Sequence, residues 1–144
     1  SLYLQAADLE RLVRERFARY AVIEEKEPMS ESYMVDDADY VVVAYGASAR
    51  VAKAAVREAR EQGIKAGLIR PITLWPFPKQ AMRDAAKHAK AFLCVEMSMG
   101  QMIDDVKLAI DCSRPVEFFG RTGGIIPTPA EVLENIKKLA GGEK

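Results

Sequence analysis

The chain has 144 residues, of which 49% are hydrophobic and 29% are charged, and its 21 basic and 21 acidic side chains leave a formal net charge of zero. This composition excludes a disordered or fibrous chain and suffices for one globular domain with a buried core. The balanced charge offers nothing that recruits nucleic acid or an anionic membrane, and the sequence shows no signal peptide or long apolar span, so we expect a cytoplasmic protein.

The first segment predicts an amphipathic helix, roughly Ala6 to Tyr20, with charged residues on its other faces. Its apolar stripe consists of Leu9, Leu12, Val13, Phe17 and Tyr20. Ala21–Ile23 then predicts a short extended segment. The polar stretch Glu24–Asp39 is interpreted as a connector that contains an edge strand around Tyr33–Val35.

Strands and helices alternate from Tyr40 onward. Tyr40–Tyr45 is a continuous apolar, β-branched run, which is typical of a strand covered on both faces. The last helix has a clear start, because Thr128 fits the N-cap, Pro129 fits the first helical position and Glu131 completes a capping box. Between them, helices and strands alternate in the order Ala49–Gln62, Ile64–Ile69, Lys79–His88, Ala91–Glu96, Met99–Ile110 and Pro115–Phe119.

This alternation predicts an α/β fold with three α/β/α layers, in which helices cover both faces of a mostly parallel sheet. We divide the chain into residues 1–39, a helix and linker with an edge strand, and residues 40–144, the α/β domain. Ligands and partners bind such open sheets at the carboxyl ends of the strands. Four loops occupy that edge, and they are Gly46–Arg50, Arg70–Pro78, Glu96–Gln101 and Gly120–Thr128.

The first of these loops follows a strand and opens a helix, so Gly46, Ser48 and Arg50 form a candidate anion site. It has one glycine where a dinucleotide-binding fingerprint has three, and Arg70 stands where that fingerprint places an acidic residue. The alternative is a tight strand-to-helix turn in which Ser48 is the N-cap.

The loop Arg70–Pro78 is the most unusual stretch of the sequence. Three prolines stiffen it, and it carries Trp75 and Phe77, residue types that are enriched at interface hot spots. We interpret it as a subunit or domain contact, with the alternative that both aromatic rings pack beneath their own loop.

Glu96 ends a strand and leads through a methionine-rich segment to Gln101. A carboxylate in that position is a candidate general base, and methionines suit an adaptable contact surface. No second catalytic group is obviously placed with Glu96, so the alternative is that it accepts hydrogen bonds from backbone N–H groups or pairs with an arginine.

The segment that follows the last strand is rich in glycine. Arg121, Gly123 and Gly124 could form an anion-binding nest with Arg121 as a phosphate or carboxylate clamp. The alternative is a connector whose glycines supply positive φ angles.

Residue types that carry metal or covalent chemistry are sparse. Cys94 lies in an apolar run that predicts burial, and Cys112 is too far along the chain to form a CxxC unit with it, so the pair predicts neither a zinc nor an iron–sulfur site. His88 is the single histidine and stands between lysines, where we expect it to be exposed. We expect no catalytic residue and no metal ligand in this chain.

Four segments resemble, in the same order, the transketolase C-terminal-like domain in the alpha subunit of the 2-oxoacid:ferredoxin oxidoreductases. They are Tyr40–Arg50, Arg70–Pro78, Val95–Met102 and Phe119–Gly124. The resemblance covers roughly Tyr40 to Leu139. Within the family, the motifs are most similar to those of the enzymes that act on 2-ketoisovalerate or 2-oxoglutarate. It implies a five-stranded, mostly parallel sheet with one antiparallel edge strand.

The resemblance also implies a parent enzyme that converts a 2-oxoacid and CoA to an acyl-CoA and CO2 while it reduces ferredoxin. That enzyme would use thiamine diphosphate, magnesium and iron–sulfur clusters. The implied partners are the other domains of the alpha subunit, the thiamine-binding beta subunit and, through the whole complex, ferredoxin. Because the chain lacks the glycine-flanked metal motif and the cluster cysteines of that family, we expect this domain to bind none of these cofactors and to form contacts through its four loops.

Two other functions stay open at this point. The first is a free-standing domain that binds an anion, such as a CoA phosphate or a nucleotide, through Gly46–Arg50 and Arg121. The second is an enzyme that uses Glu96 as a base.

Overall fold

The computed structural model describes residues 6–26, 29–97, 100–120 and 125–141. Strands and helices alternate from Tyr40 onward, as the sequence pattern predicts. The helices are α1 (Ala6–Lys26), α2 (Ala47–Glu61), α3 (Lys79–Ala86), α4 (Gln101–Ala109) and α5 (Pro129–Ala140). The strands are β1 (Ser30–Tyr33), β2 (Tyr40–Ala44), β3 (Ala66–Pro71), β4 (Ala91–Glu96) and β5 (Val116–Gly120).

The strands form one mixed sheet in the order β1-β3-β2-β4-β5. β1 pairs antiparallel with β3, and the other neighbours pair in parallel, with Val42 opposite both Leu68 and Leu93. The predicted fold class, a mostly parallel five-stranded sheet with one antiparallel edge strand, is therefore confirmed.

Two hydrophobic clusters lie on opposite faces of the sheet. Alternate residues of β2 point to opposite faces, so Val41 and Val43 pack against α3 and α4, whereas Val42 and Ala44 pack against α2 and α5. The helices contribute small side chains to both clusters, which brings their backbones close to the sheet. The small residues of α2 and α3 in these clusters are Ala49, Ala52, Ala55, Ala59, Ala85 and Ala86.

The amino-terminal segment differs from two expectations. The predicted extended stretch Ala21–Ile23 is helical, because α1 continues to Lys26. Val22 and Ile23 stand between residues that favour helix, and the sequence offers no helix-breaking residue before Pro28. The edge strand is Ser30–Tyr33 rather than Tyr33–Val35, because Met34 has a φ of 56° and ends the strand there. Within the described residues, no helix combines the length and apolarity needed to cross a bilayer.

Arg60 fixes the corner between β1 and β2. Its guanidinium donates to the Met34 carbonyl oxygen at 2.7 Å, to the Ala66 carbonyl oxygen at 2.8 Å and to both carboxylate oxygens of Asp37 at 2.7 and 3.1 Å. The hydrogen bonds from Arg60 lower the pKa of Asp37. The same corner passes close to β3, where Gly67 leaves room for the Met34 carbonyl group.

The helix starts at the carboxyl edge rely on glycine more than the sequence pattern indicates. Gly46, with a φ of 61°, is the N-cap of α2, so Ser48 is buried in the first turn and is not the predicted cap. Gly100, with a φ of 93°, precedes α4, whose described part begins at Gln101. A positive φ at glycine turns the chain into the helix without steric cost. The capping box of Thr128 and Glu131 is present as predicted.

Candidate functional site

The strand order decides which predicted site residues lie close together. Because β2 and β3 are neighbours, Gly46 and Arg50 at the end of β2 lie beside Arg70 near the end of β3. Glu96 ends β4, on the other side of β2. Arg121, Gly123 and Gly124 lie outside the described residues, so the predicted anion nest after β5 stays a prediction.

Gly46, Arg50 and Arg70 line one cleft of about 310 Å³. The structure adds side chains that the sequence pattern did not single out, among them Glu31 and Tyr33 from β1 and Lys53 from α2. Arg70 donates to Glu31 Oε1 from Nη2 at 2.7 Å and from Nε at 3.1 Å. Lys53 Nζ lies 4.9 Å from the centroid of the Tyr33 ring, a cation–π contact. We name this group the basic cleft.

Thr73 anchors the loop between β3 and α3. Its hydroxyl donates to the Pro76 carbonyl oxygen at 2.8 Å and accepts from the Met29 N–H at 3.0 Å. The Ile72 N–H donates to the Met29 carbonyl oxygen at 2.9 Å. The peptide bond between Trp75 and Pro76 is cis. This loop is therefore attached to the segment before β1, and its conformation is set by its own hydrogen bonds.

The two aromatic rings of that loop have different environments. Phe77 is 7% exposed and packs in the cluster with α3 and α4, which matches the alternative that it packs beneath its own loop. Trp75 is 57% exposed and lines a shallow depression of about 230 Å³ next to Leu74 and Leu108. The depression also holds Asp105, whose pKa is raised by burial and by the charges of Asp104 and Glu96. We name Ile72, Leu74, Trp75 and Leu108 the Trp75 surface, because each of these apolar side chains is exposed.

Glu96 is buried and acts as an N-terminal cap of α4. The carboxylate is 1% exposed, and its two oxygens lie 3.0 and 3.1 Å from the backbone nitrogen of Met102, which donates to them. A carboxylate at this end of a helix also interacts favourably with the helix dipole. These contacts match the alternative reading of Glu96 as a backbone cap, and they leave its side chain closed to solvent, whereas Gln101 is exposed.

The cysteines occupy opposite environments. Cys94 is buried in β4, and burial raises the pKa of its thiol, whereas Cys112 is exposed beyond the end of α4. Because the thiolate is the reactive form, we expect a thiol reagent to label one cysteine rapidly in the folded chain and the second only after denaturation. Titration with Ellman's reagent, with and without urea, measures this. A Cys112→Ser variant should lose the rapid phase, and two rapid thiols in the folded protein would contradict the assignment.

The described residues do not fit the metal or cluster cofactors that the family resemblance implies. They contain no group of three or more His, Cys, Asp or Glu side chains arranged to hold a metal ion. Thiamine diphosphate is held through a metal that needs oxygen ligands, and iron–sulfur clusters need several thiolates. We therefore route no reaction step through these cofactors at the described residues.

A larger cavity of about 500 Å³ lies at the opposite edge of the sheet, between the amino ends of the strands and the carboxyl end of α5. Tyr40, Lys90, Glu117 and Lys138 are among its lining residues. None of the site residues predicted within the described ranges lines this cavity, so we place the candidate site at the carboxyl edge.

Comparison with known proteins gives a matching family model and similar proteins that are named as subunits of 2-oxoacid-converting enzymes. The family model for pyruvate:ferredoxin oxidoreductase core domain II matches residues 38–132. The chain is 47% identical over 141 residues to the ketoisovalerate oxidoreductase subunit VorB of Methanothermobacter marburgensis, covering 98% of this chain and 40% of that protein. It is 42% identical over 101 residues to the 2-oxoglutarate synthase subunit KorA of the same organism, covering 70% of this chain and 27% of that protein. The chain thus spans about two fifths of the length of VorB.

Solved structures show the same fold at low sequence identity. The 2-oxoglutarate:ferredoxin oxidoreductase from Magnetococcus marinus, solved with 2-oxoglutarate, coenzyme A and succinyl-CoA, superposes with a TM-score of 0.75 at 20% identity, over 94% of this chain and 24% of that one. A split-gene transketolase superposes with a TM-score of 0.67 at 17% identity, over 81% of this chain and 42% of that one. These structures establish the likeness of the fold.

Proposed function

Because this chain belongs to the pyruvate:ferredoxin oxidoreductase core domain II family, we propose that it is the carboxyl-terminal domain of the alpha subunit of a 2-oxoacid:ferredoxin oxidoreductase. The observation that carries the proposal is the 47% identity to a ketoisovalerate oxidoreductase subunit across almost the whole chain. The proposed parent enzyme converts 2-ketoisovalerate or 2-oxoglutarate and CoA to an acyl-CoA and CO2, and it reduces ferredoxin.

In this proposal the domain supports and contacts the catalytic domains and carries out no chemistry itself. The thiamine diphosphate, the magnesium and the iron–sulfur clusters of the parent enzyme are held by other domains and subunits.

The Trp75 surface is the proposed contact with the other domains of the alpha subunit or with the thiamine-binding beta subunit. Trp75 and Leu108 are 57% and 72% exposed, and a tryptophan held on a hydrogen-bonded loop loses little side-chain entropy on binding. The loop that carries Trp75 follows β3 at the carboxyl edge, where open α/β sheets meet ligands and partners.

Affinity purification tests the proposed function. A tag on the chain in its native cells is expected to recover a polypeptide with a thiamine diphosphate-binding motif, and the recovered complex is expected to oxidise 2-ketoisovalerate or 2-oxoglutarate with CoA and a ferredoxin-type acceptor. Turnover by the isolated chain under the same conditions would overturn the non-catalytic role, and a native partner set without thiamine-binding polypeptides would overturn the family function.

We expect Trp75→Ala to lower recovery of the thiamine-binding polypeptide about tenfold or more, because truncating an aromatic hot spot costs about 2 kcal/mol of binding free energy. More than half of the side chain is exposed, so we expect the variant to stay folded, which its thermal unfolding midpoint checks. Quantitative mass spectrometry of the purified complex measures the change. Trp75→Phe keeps an aromatic contact and should retain most of the partner, and equal recovery with Trp75→Ala would exclude this surface as the contact with the thiamine-binding subunit.

A further inference from the structure

The basic cleft concentrates positive charge in a chain whose formal net charge is zero. Arg50, Lys53 and Arg70 line the cleft together with one acid, Glu31, so three positive charges less one negative charge leave a local charge of +2. The complete sequence has 21 basic and 21 acidic residues, and this local excess is therefore a departure from the average surface. The lining residues come from β1, β3 and α2, which are distant in sequence and meet only in the folded chain.

Only part of this charge is neutralised within the described residues. Arg70 pairs with Glu31, and Lys53 lies against the Tyr33 ring, which leaves its charge intact. Arg50 is exposed and has no hydrogen-bond or ion-pair partner among the described residues. Its guanidinium is thus available to a ligand in the cleft.

The placement of two of these cations works against the stability of the helix that carries them. Arg50 and Lys53 lie in the first two turns of α2, near the positive end of its dipole, and the first turn contains no acidic residue. They are three residues apart on one face, where like charges repel, and the first acid along the helix is Glu58. Helix stability alone favours acids at these positions, so it does not explain why two cations lie there.

The size and lining of the cleft fit a small ligand with more than one negative charge. Its volume of about 310 Å³ lies at the lower end of the range for small-molecule sites, which is roughly 300–1,000 Å³. Guanidinium groups donate paired hydrogen bonds to phosphate oxygens, and a local charge of +2 balances a phosphate ester or a diphosphate better than a single carboxylate. Leu68 and Ala49 supply an apolar part of the wall beside the cations.

We propose that the basic cleft, formed by Arg50, Lys53 and Arg70, is a binding site for the phosphate groups of a phosphorylated small molecule. The site is separate from the Trp75 surface, so it stands whether or not that surface contacts the other domains. Arg50 and Lys53 bind the phosphate oxygens, while Arg70 is held in place by Glu31.

Isothermal titration calorimetry of the complete chain at low ionic strength tests this proposal with pyrophosphate, ADP and adenosine as probes. Binding of pyrophosphate and ADP without binding of adenosine supports a phosphate site, and tighter binding of ADP than of pyrophosphate identifies a nucleotide as the preferred source. The affinity should fall as salt is added, because exposed charges are screened. Absence of binding by both phosphate probes at millimolar concentration would overturn the proposal.

A pair of matched double variants locates the site. Arg50→Gln with Lys53→Gln should weaken pyrophosphate binding about tenfold or more, since charge-assisted hydrogen bonds are lost. Lys87→Gln with Lys107→Gln removes the same charge from exposed lysines on the opposite face of the sheet and should leave the affinity unchanged. An equal loss of affinity in both variants would show that the cleft is not a phosphate site. The same conclusion follows if the unaltered chain binds no phosphate and the Arg50/Lys53 variant loses its protein partner.

Discussion

Replacing Glu96 by alanine is expected to lower the free energy of unfolding by about 3 kcal/mol. The carboxylate is buried at 1% exposure and accepts the Met102 N–H near the start of α4. Alanine removes this acceptor, leaves a buried N–H group without its partner and opens a cavity at the end of β4. Urea unfolding followed by circular dichroism measures the loss.

The Glu96→Gln variant separates the structural role from a catalytic one. Its amide oxygen can still accept the Met102 N–H, so we expect a smaller loss of stability than with alanine. A general base would not tolerate this change, because the amide cannot take up a proton at neutral pH. Loss of an enzymatic activity in a Glu96→Gln chain of normal stability would therefore favour the enzyme that uses Glu96 as its base.

Replacing Gly67 by alanine is expected to lower the free energy of unfolding by about 2–3 kcal/mol. An added Cβ atom would lie 2.6 Å from the Met34 carbonyl oxygen and 3.0 Å from the Ala38 Cβ atom. Both neighbours belong to a tight corner that cannot move without disturbing the hydrogen bond from Arg60 to the Met34 carbonyl oxygen. Urea unfolding at constant m-value checks the prediction.

Gly63 provides the matched control for that substitution. It has a φ of 86°, and a Cβ atom there would meet no other atom within 4 Å. Gly63→Ala should therefore cost only the backbone strain of a left-handed residue, about 1 kcal/mol. If both variants lose the same stability, the close approach of Met34 to β3 is not what requires glycine at position 67.

Hydrophobic pattern predicts most of the sheet but not its turns. The buried runs Tyr40–Tyr45 and Ala91–Glu96 predict the central strands β2 and β4, because both faces of these strands are covered. The edge strand is harder to place, since its end depends on the positive φ of Met34, which Arg60 supports from a distant helix. Ala21–Ile23 shows that two β-branched residues do not outweigh the helix formers around them.

The sequence predicts the candidate site only in part, because the site also depends on contacts between segments that are distant in sequence. Arg50 and Arg70 come shortly after strands predicted from the sequence, so their place near the carboxyl edge is predictable. Their meeting in one cleft depends on the strand order, because β2 and β3 are neighbours and β1 adds Glu31. Lys53 had one available signal, its position one helical turn after Arg50 on a face without acids. The burial of Glu96 was not predictable, since it depends on how α4 folds back over the end of β4.

The buried strands and the exposed residues beyond their ends differ in how freely they can be substituted. Residues of β2 and β4 contact helices on both faces, so most substitutions there disturb packing. Arg50 and Trp75 lie beyond the strand ends, where a substitution changes the exposed surface and leaves the packing of the sheet unchanged. Substitutions at a few positions beyond the strand ends can therefore give such a domain new binding preferences while its packed interior stays the same.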